Sequence, residues 1–274
     1  MNGAADPKEA MISMEQLYTN VAPLRNVAAL LSLVVQVRDR QFGLPGLAVF
    51  YGPSGWGKTT AATYASNRFD ACHVEIKSLW RTKQVLQQIA LELGLRPART
   101  APDIFEQVAK TLGRQQRPLL LDEADHLCRD EIIEMIRGLH EASGVPVILI
   151  GEELLPQKLQ RWERVHGRIL AWVAAQEAEL ADVGHLATIY CPGVDISPDL
   201  RQRLLIESKL SIRRVSINLA LLREFAVGRD IRKATVENTR ELVFFTGEAP
   251  APRRETVATI ARMTTAARAA RRVS

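Results

Sequence analysis

No stretch of this chain restricts its fold more than Gly52-Pro53-Ser54-Gly55-Trp56-Gly57-Lys58-Thr59, which satisfies G-x-x-x-x-G-K-[ST] at every fixed position. It follows Leu47-Ala48-Val49-Phe50-Tyr51, a short continuous apolar run of the kind that forms a strand buried on both faces. Glycines let the backbone curl until successive amides point at phosphate oxygens, and a helix starting near Lys58 adds its positive N-terminal end. Strand, loop and helix in this order predict a phosphate-binding loop, Gly52 to Thr60, at the C-terminal edge of a parallel sheet. In this reading Lys58 reaches the β and γ phosphates of ATP, and the Thr59 hydroxyl ligates magnesium.

A second apolar run, Leu119-Leu120-Leu121, ends in Asp122-Glu123. Placed at the same edge of the sheet, Asp122 holds the magnesium through water and Glu123 polarises the attacking water. An acid directly after the magnesium aspartate points to a hydrolase with a carboxylate base. A third run, Val145 to Ile150, leads into Gly151 and the acids Glu152 and Glu153, which read either as plain surface acids or, one of them, as the polar residue near the γ phosphate. Arg161, Arg164 and Arg168 recur every three or four residues and share one face if their helix is unbroken. They read either as a solvated basic face or as an arginine finger offered to a neighbouring subunit, with Arg168 the first choice and Arg164 the second. Further on, Ser211-Ile212-Arg213-Arg214 opens a helix, which puts Arg213 where a lid arginine touches the γ phosphate.

The pattern between these motifs alternates. Strands are expected at 47–51, 72–76, 119–121, 145–150 and 185–190, with a long helical stretch from Leu154 to Leu180. Such alternation predicts an α/β fold: a five-stranded parallel sheet covered on both faces by helices. Beyond Cys191-Pro192-Gly193 only helices are expected before Leu242, which predicts a small all-α lid. The expected organisation is a lead-in over 1–22 with a weak helix near Lys8 to Leu17, a nucleotide-binding core over 23–192, a lid over 193–246 and a basic tail over 247–274.

Charge placement matters more than its size. From Pro250 onward six arginines (Arg253, Arg254, Arg262, Arg268, Arg271, Arg272) face one acid, Glu255, so the tail carries the whole formal excess of +5. A solvated tail and contact with a polyanion such as DNA are both consistent with it. The longest apolar stretch, Val27 to Val35, is far short of the ~20 residues of a membrane span, and the N-terminus lacks the order of a signal peptide. A cytoplasmic protein with reduced thiols at Cys72, Cys128 and Cys191 is expected, and no cysteine or histidine spacing marks a zinc site.

In combination these motifs resemble the AAA+ ATPases over roughly residues 20–245. Within that superfamily, Gly-Pro-Ser-Gly-Trp-Gly-Lys-Thr-Thr-Ala-Ala, Leu-Asp-Glu-Ala-Asp-His-Leu and Ile-Leu-Ile-Gly-Glu-Glu are similar to phrases of the phage Mu transposition protein B group and the related TnsC and TniB regulators. The resemblance implies ATP and Mg2+ as cofactors. It also implies sequence-nonspecific binding of double-stranded DNA by a homo-oligomer, a filament or ring, that presents target DNA to a transposase and is stripped off when hydrolysis is stimulated. The Mu prototype has a separate helix-turn-helix domain before its core, whereas about 50 residues precede Gly52 here. DNA contact is therefore expected from the ATPase ring and from the tail, with Lys77, Arg81 and Lys83 either lining the ring or forming an ordinary charged helix start. A replicative helicase loader and an ExeA-type secretion or signalling ATPase without a DNA role remain open alternatives.

Overall fold

The computed structural model describes residues 24–248; the weak helix expected near Lys8 to Leu17 and the arginines from Arg253 onward lie outside them. The chain opens with α1 (Arg25–Arg38), β1 (Leu47–Tyr51) and α2 (Lys58–Phe69), then β2 (Cys72–Glu75), α3 (Thr82–Glu92) and α4 (Ala101–Gln115). Next come β3 (Leu119–Asp122), a 3-10 turn (Ala124–Leu127), α5 (Asp130–Ser143), β4 (Val147–Gly151), the short α6 (Leu155–Leu159) and α7 (Glu163–His166), and β5 (Ile169–Ala174). The remainder is α8 (Leu180–Tyr190), β6 (Asp195–Ile196), α9 (Pro198–Glu207), α10 (Ile212–Gly228) and β7 (Lys233–Ala234).

The five-stranded sheet has the order β2-β3-β4-β1-β5, and every pairing in it is parallel. Side chains of a strand alternate between faces, and the core divides accordingly. Ala48, Phe50, Leu120, Ile148 and Ile150 join α1, α2 and the lid helices in one apolar cluster, while Leu47, Val49, Leu119, Leu121, Val147 and Leu149 join α3, α4 and α5 in the other. This three-layer arrangement confirms the expected α/β class. The order also puts β1 between β4 and β5, so the loop leaving β1 emerges where neighbouring connections run to opposite sides of the sheet.

Two expectations fail. The fifth strand is Ile169–Ala174, inside the stretch expected to be helical, whereas 185–190, expected as a strand, lies in α8. Ile169-Leu-Ala-Trp-Val is β-branched and aromatic enough to form a strand, and the Ala174-Ala175 that follows it conceals it. In α8 the buried Val183, Leu186, Ala187 and Ile189 follow helical spacing, and the Asp182 carboxylate accepts from the Glu179 backbone at the helix start (2.9 Å). The lid is also not purely helical: Asp195–Ile196 and Lys233–Ala234 form a two-stranded parallel pair that ties its ends together. All three cysteines are free, and burial pushes the Cys72 thiol up to about 12. Among the described residues no helix is long and apolar enough to cross a membrane.

Candidate nucleotide site

The Gly52–Thr59 loop leaves β1 at its C-terminal end, where the Gly52 N–H donates to the Gly151 carbonyl of β4 (3.3 Å). Gly55 (φ 84°) and Gly57 (φ 82°) both take the left-handed conformation that side chains disfavour, and Gly57 leads directly into α2. One buried amide holds the outer side of the loop. Asn26 of α1 donates to the carbonyls of Trp56 (2.7 Å) and Gln176 (2.8 Å) and accepts from the Gln176 N–H (2.7 Å). Its only trace in the sequence is an amide interrupting the apolar stripe of α1.

Lys58 is folded onto its own loop, donating to the carbonyls of Gly52 (2.7 Å) and Pro53 (2.9 Å). Burial lowers its pKa, opposed by the negative charges of Asp122, Glu123, Glu152 and Asp125. Asp122 is buried at the end of β3; one oxygen accepts from the Glu123 N–H (2.8 Å), and the other has no hydrogen-bond partner. An unpartnered buried carboxylate oxygen is costly, and a hard cation beside it would remove that cost, so Asp122 with Thr59 fits magnesium, which takes one or two carboxylates along with substrate phosphates. Glu123 has φ 55°, a turn that separates it from the strand direction of Asp122. Burial, then the Asp122 charge, raises its pKa.

The lid completes the site. At the start of α10 the Ser211 hydroxyl (3.2 Å) and the Arg213 N–H (2.9 Å) both donate to the Gly55 carbonyl, and the Arg213 guanidinium donates to the Ser54 hydroxyl (3.3 Å). Loop, acid and lid together line a cleft of about 310 Å³ that includes Lys58, Thr59, Thr60, Glu123 and Arg213. Its far wall is Tyr190, Ile212, Ser216 and Ile217, an apolar surface suited to a flat base that the sequence reading did not single out. The distance in sequence between Tyr190 and the loop, and the misassigned strand at 185–190, hid it.

Asp125, also not anticipated, joins the ends of β3 and β4. Its carboxylate accepts from the Glu152 N–H (2.6 Å) and pairs with Lys158 (2.6 Å). Glu152 is close enough to act on Lys58 and Glu123 by charge, while both Glu152 and Glu153 are exposed.

The three arginines do not share a helix face. Arg161 lies between α6 and α7, Arg164 is in α7, and Arg168 follows Gly167 just before β5. The Arg168 carbonyl accepts from the Leu47 N–H at the start of β1 (3.1 Å), and its side chain pairs with Glu141 (3.1 Å). It therefore lies at the opposite end of β1 from the chain's own phosphate loop, about 15 Å away at ~3.3 Å per strand residue. Lys77, Arg81 and Lys83 surround the loop after β2, at the sheet's outer edge, where Arg129 ties the loop down by donating to the Ser78 carbonyl (2.7 Å). Lys77 is paired with Glu75.

The AAA domain family matches residues 41–159, from the approach to β1 through the end of α6. No curated protein sequence matches the chain. Among solved structures it is similar to the Orc1 protein of Aeropyrum pernix in complex with DNA (19% identity, TM-score 0.57), covering 79% of this chain and 63% of that one. Cdc6p of Pyrobaculum aerophilum (14%, TM-score 0.55) is covered over 68% of its length by 86% of this chain. The Holliday junction branch migration motor RuvB of Thermotoga maritima (14%, TM-score 0.55) is covered over 70% by 84%. The chain thus spans less than two thirds of the Orc1 chain, and identities this low speak for the fold. Residues 41–159 match the AAA domain family, and the described chain has an α/β fold like that of AAA+ P-loop ATPases, a five-stranded parallel sheet followed by a lid.

Proposed function

We propose that this chain is a magnesium-dependent ATP hydrolase whose ATP form assembles head to tail on double-stranded DNA and presents that DNA to a transposase. The observation that carries the hydrolase is the cleft itself, in which Lys58, Glu123 and the start of α10 meet over the same glycine loop, with Asp122 buried just behind Glu123. Lys58 trades its bonds to Gly52 and Pro53 for the β and γ phosphates, and the loop amides take the remaining oxygens. Thr59 and Asp122 would hold magnesium, whose charge would offset that of the phosphates. Glu123, with a pKa raised by burial, accepts the proton of the attacking water. Arg213 anchors the lid over the γ position.

Assembly is supported by Arg168, which lies at the opposite end of β1 from its own glycine loop and so is offered to a neighbour's nucleotide; Arg164 in α7 is the second choice. The DNA role is supported by the phrases shared with the transposition ATPases, by the basic tail, by Lys77, Arg81 and Lys83 around one exposed loop, and by DNA-associated structural relatives such as the Orc1 complex and RuvB.

The test separates binding from turnover. Glu123→Gln keeps size and polarity but cannot accept a proton, so hydrolysis should fall by about 10²- to 10⁴-fold with ATP binding retained. The complex with DNA, diluted into competitor DNA with ATP and magnesium present, should then outlive that of the wild type. A shorter lifetime would refute either Glu123 as the base or the ATP state as the one that grips DNA. Capture of a replicative helicase instead of DNA would favour a loader.

A further inference from the structure

One exposed aromatic and one unfilled groove on this chain match each other. Phe42 is fully exposed, 108% by the usual reference. It is nonetheless held: it occupies the tip of a turn closed by the Leu44 N–H on the Gln41 carbonyl (3.1 Å), with Gly43 at φ 85° in the third position as a type II turn requires. Arg40 braces the turn by donating to the carbonyls of Val37 (2.8 Å), Leu44 (3.3 Å) and Gly144 (2.8 Å). A rigid turn that carries a phenyl ring into water loses apolar burial without gaining freedom, which is the signature of a contact residue.

The groove lies on the lid, between α8 and α10. It has a volume of about 630 Å³, walls of Ile189, Tyr190, Ala220 and Val227, and a rim of Arg223 and Glu224. Val227 is 72% exposed. Tyr190 lines this groove on one side and the nucleotide cleft on the other, so the two openings are adjacent.

The other partner surface has the same pair of features in convex form. Phe42 precedes Leu47 by five residues, a span of at most ~17 Å, and Leu47 is bonded to Arg168. A copy that offers Arg168 to a neighbour's cleft therefore brings Phe42 to the opening beside it. The arginine-bearing end also meets a cleft that has Glu123 in its lining and Asp122 and Glu152 close enough to act on Lys58 by charge. Knob and groove sit on different surfaces of one chain, so their union is heterologous and repeats, giving a ring or a helical array.

We propose that the Phe42 turn of one copy seats in the α8–α10 groove of the next, next to the cleft that Arg168 of the same copy completes. This rests on the head-to-tail assembly described above and adds its apolar anchor. In sedimentation with ATP and magnesium, Phe42→Ala should raise the concentration for half-assembly about 30-fold, the factor that 2 kcal/mol from an aromatic hot spot represents. Val227→Glu, on the groove side and also exposed, should do the same, while nucleotide binding by the single chain stays unchanged in both. Differently tagged Phe42→Cys and Val227→Cys copies, mixed and oxidised, should yield a mixed disulfide-linked dimer. Assembly of both variants at wild-type concentrations, or no mixed dimer, would overturn the contact and leave assembly standing. A wild type that stays monomeric with ATP, magnesium and DNA would overturn assembly and the contact together.

Discussion

Gly55→Ala should damage this protein through the lid as much as through the loop. Gly55 has φ 84°, and a Cβ there would lie 2.8 Å from the Ser211 hydroxyl and 3.4 Å from the Arg213 Cβ. A left-handed alanine costs about 1–2 kcal/mol. Ser211, buried and bonded to the Gly55 carbonyl, must turn away and lose a hydrogen bond of about 1 kcal/mol. The sum is about 2–3 kcal/mol, or ~5–10 °C in melting temperature for a domain of this size. The assay is thermal unfolding of a double-mutant cycle with Ser211→Ala. Removing the hydroxyl relieves the clash, so the two changes together should cost about 1 kcal/mol less than their separate costs added. Strict additivity, or a Gly55→Ala loss below about 0.5 kcal/mol, would refute the idea that the lid rests on this glycine.

Mixing Lys58→Ala subunits with Arg168→Ala subunits should restore hydrolysis that neither variant shows alone, because a neighbour's Arg168 completes an intact loop; no recovery in the mixture, with normal turnover by Arg168→Ala alone, would remove that arginine. His140 is buried with its Nδ1 2.8 Å from the Val145 carbonyl, and its pKa is lowered by burial and by Arg40 and Arg168 against the opposing Val145 hydrogen bond and Glu141. The unfolded chain therefore takes up a proton near pH 6.5 that the folded chain refuses, so stability present above that value is lost as the pH falls through it. His73, also lowered by burial, contributes in the same sense. His140→Gln should reduce the shift in urea midpoint between pH 7 and pH 5, and an undiminished shift would contradict this account.

Sequence reading succeeded where one short pattern carries its own geometry. β1, the glycine loop and Asp122–Glu123 are local: an apolar run, a turn and an acid suffice to place them. The Ser211-Ile212-Arg213 helix start was legible for the same reason, and the structure puts it against Gly55. The failures came from elements defined by distant partners. β5 is a strand because β1 lies beside it, and nothing within Gly167 to Ala175 announces that neighbour. Once 185–190 was read as a strand, Tyr190 had no route to the cleft. Asn26 and Asp125 act through carbonyls and amides many residues away, and their roles emerge only when the chain has closed around them.

In the head-to-tail assembly proposed above, the separation of Arg168 from its own glycine loop, one strand length along β1, gives an array of these chains a direction. At one end a copy holds a cleft that no neighbour finishes; at the other a copy offers an arginine to nothing. An open array of n copies then has n − 1 competent sites, and the deficient one is always terminal. Turnover inside the array and persistence at its tip become separate properties of the same molecule, so growth, shrinkage and length are controlled from whichever end keeps its nucleotide longest. Closure into a ring abolishes that distinction and puts every copy on the same clock.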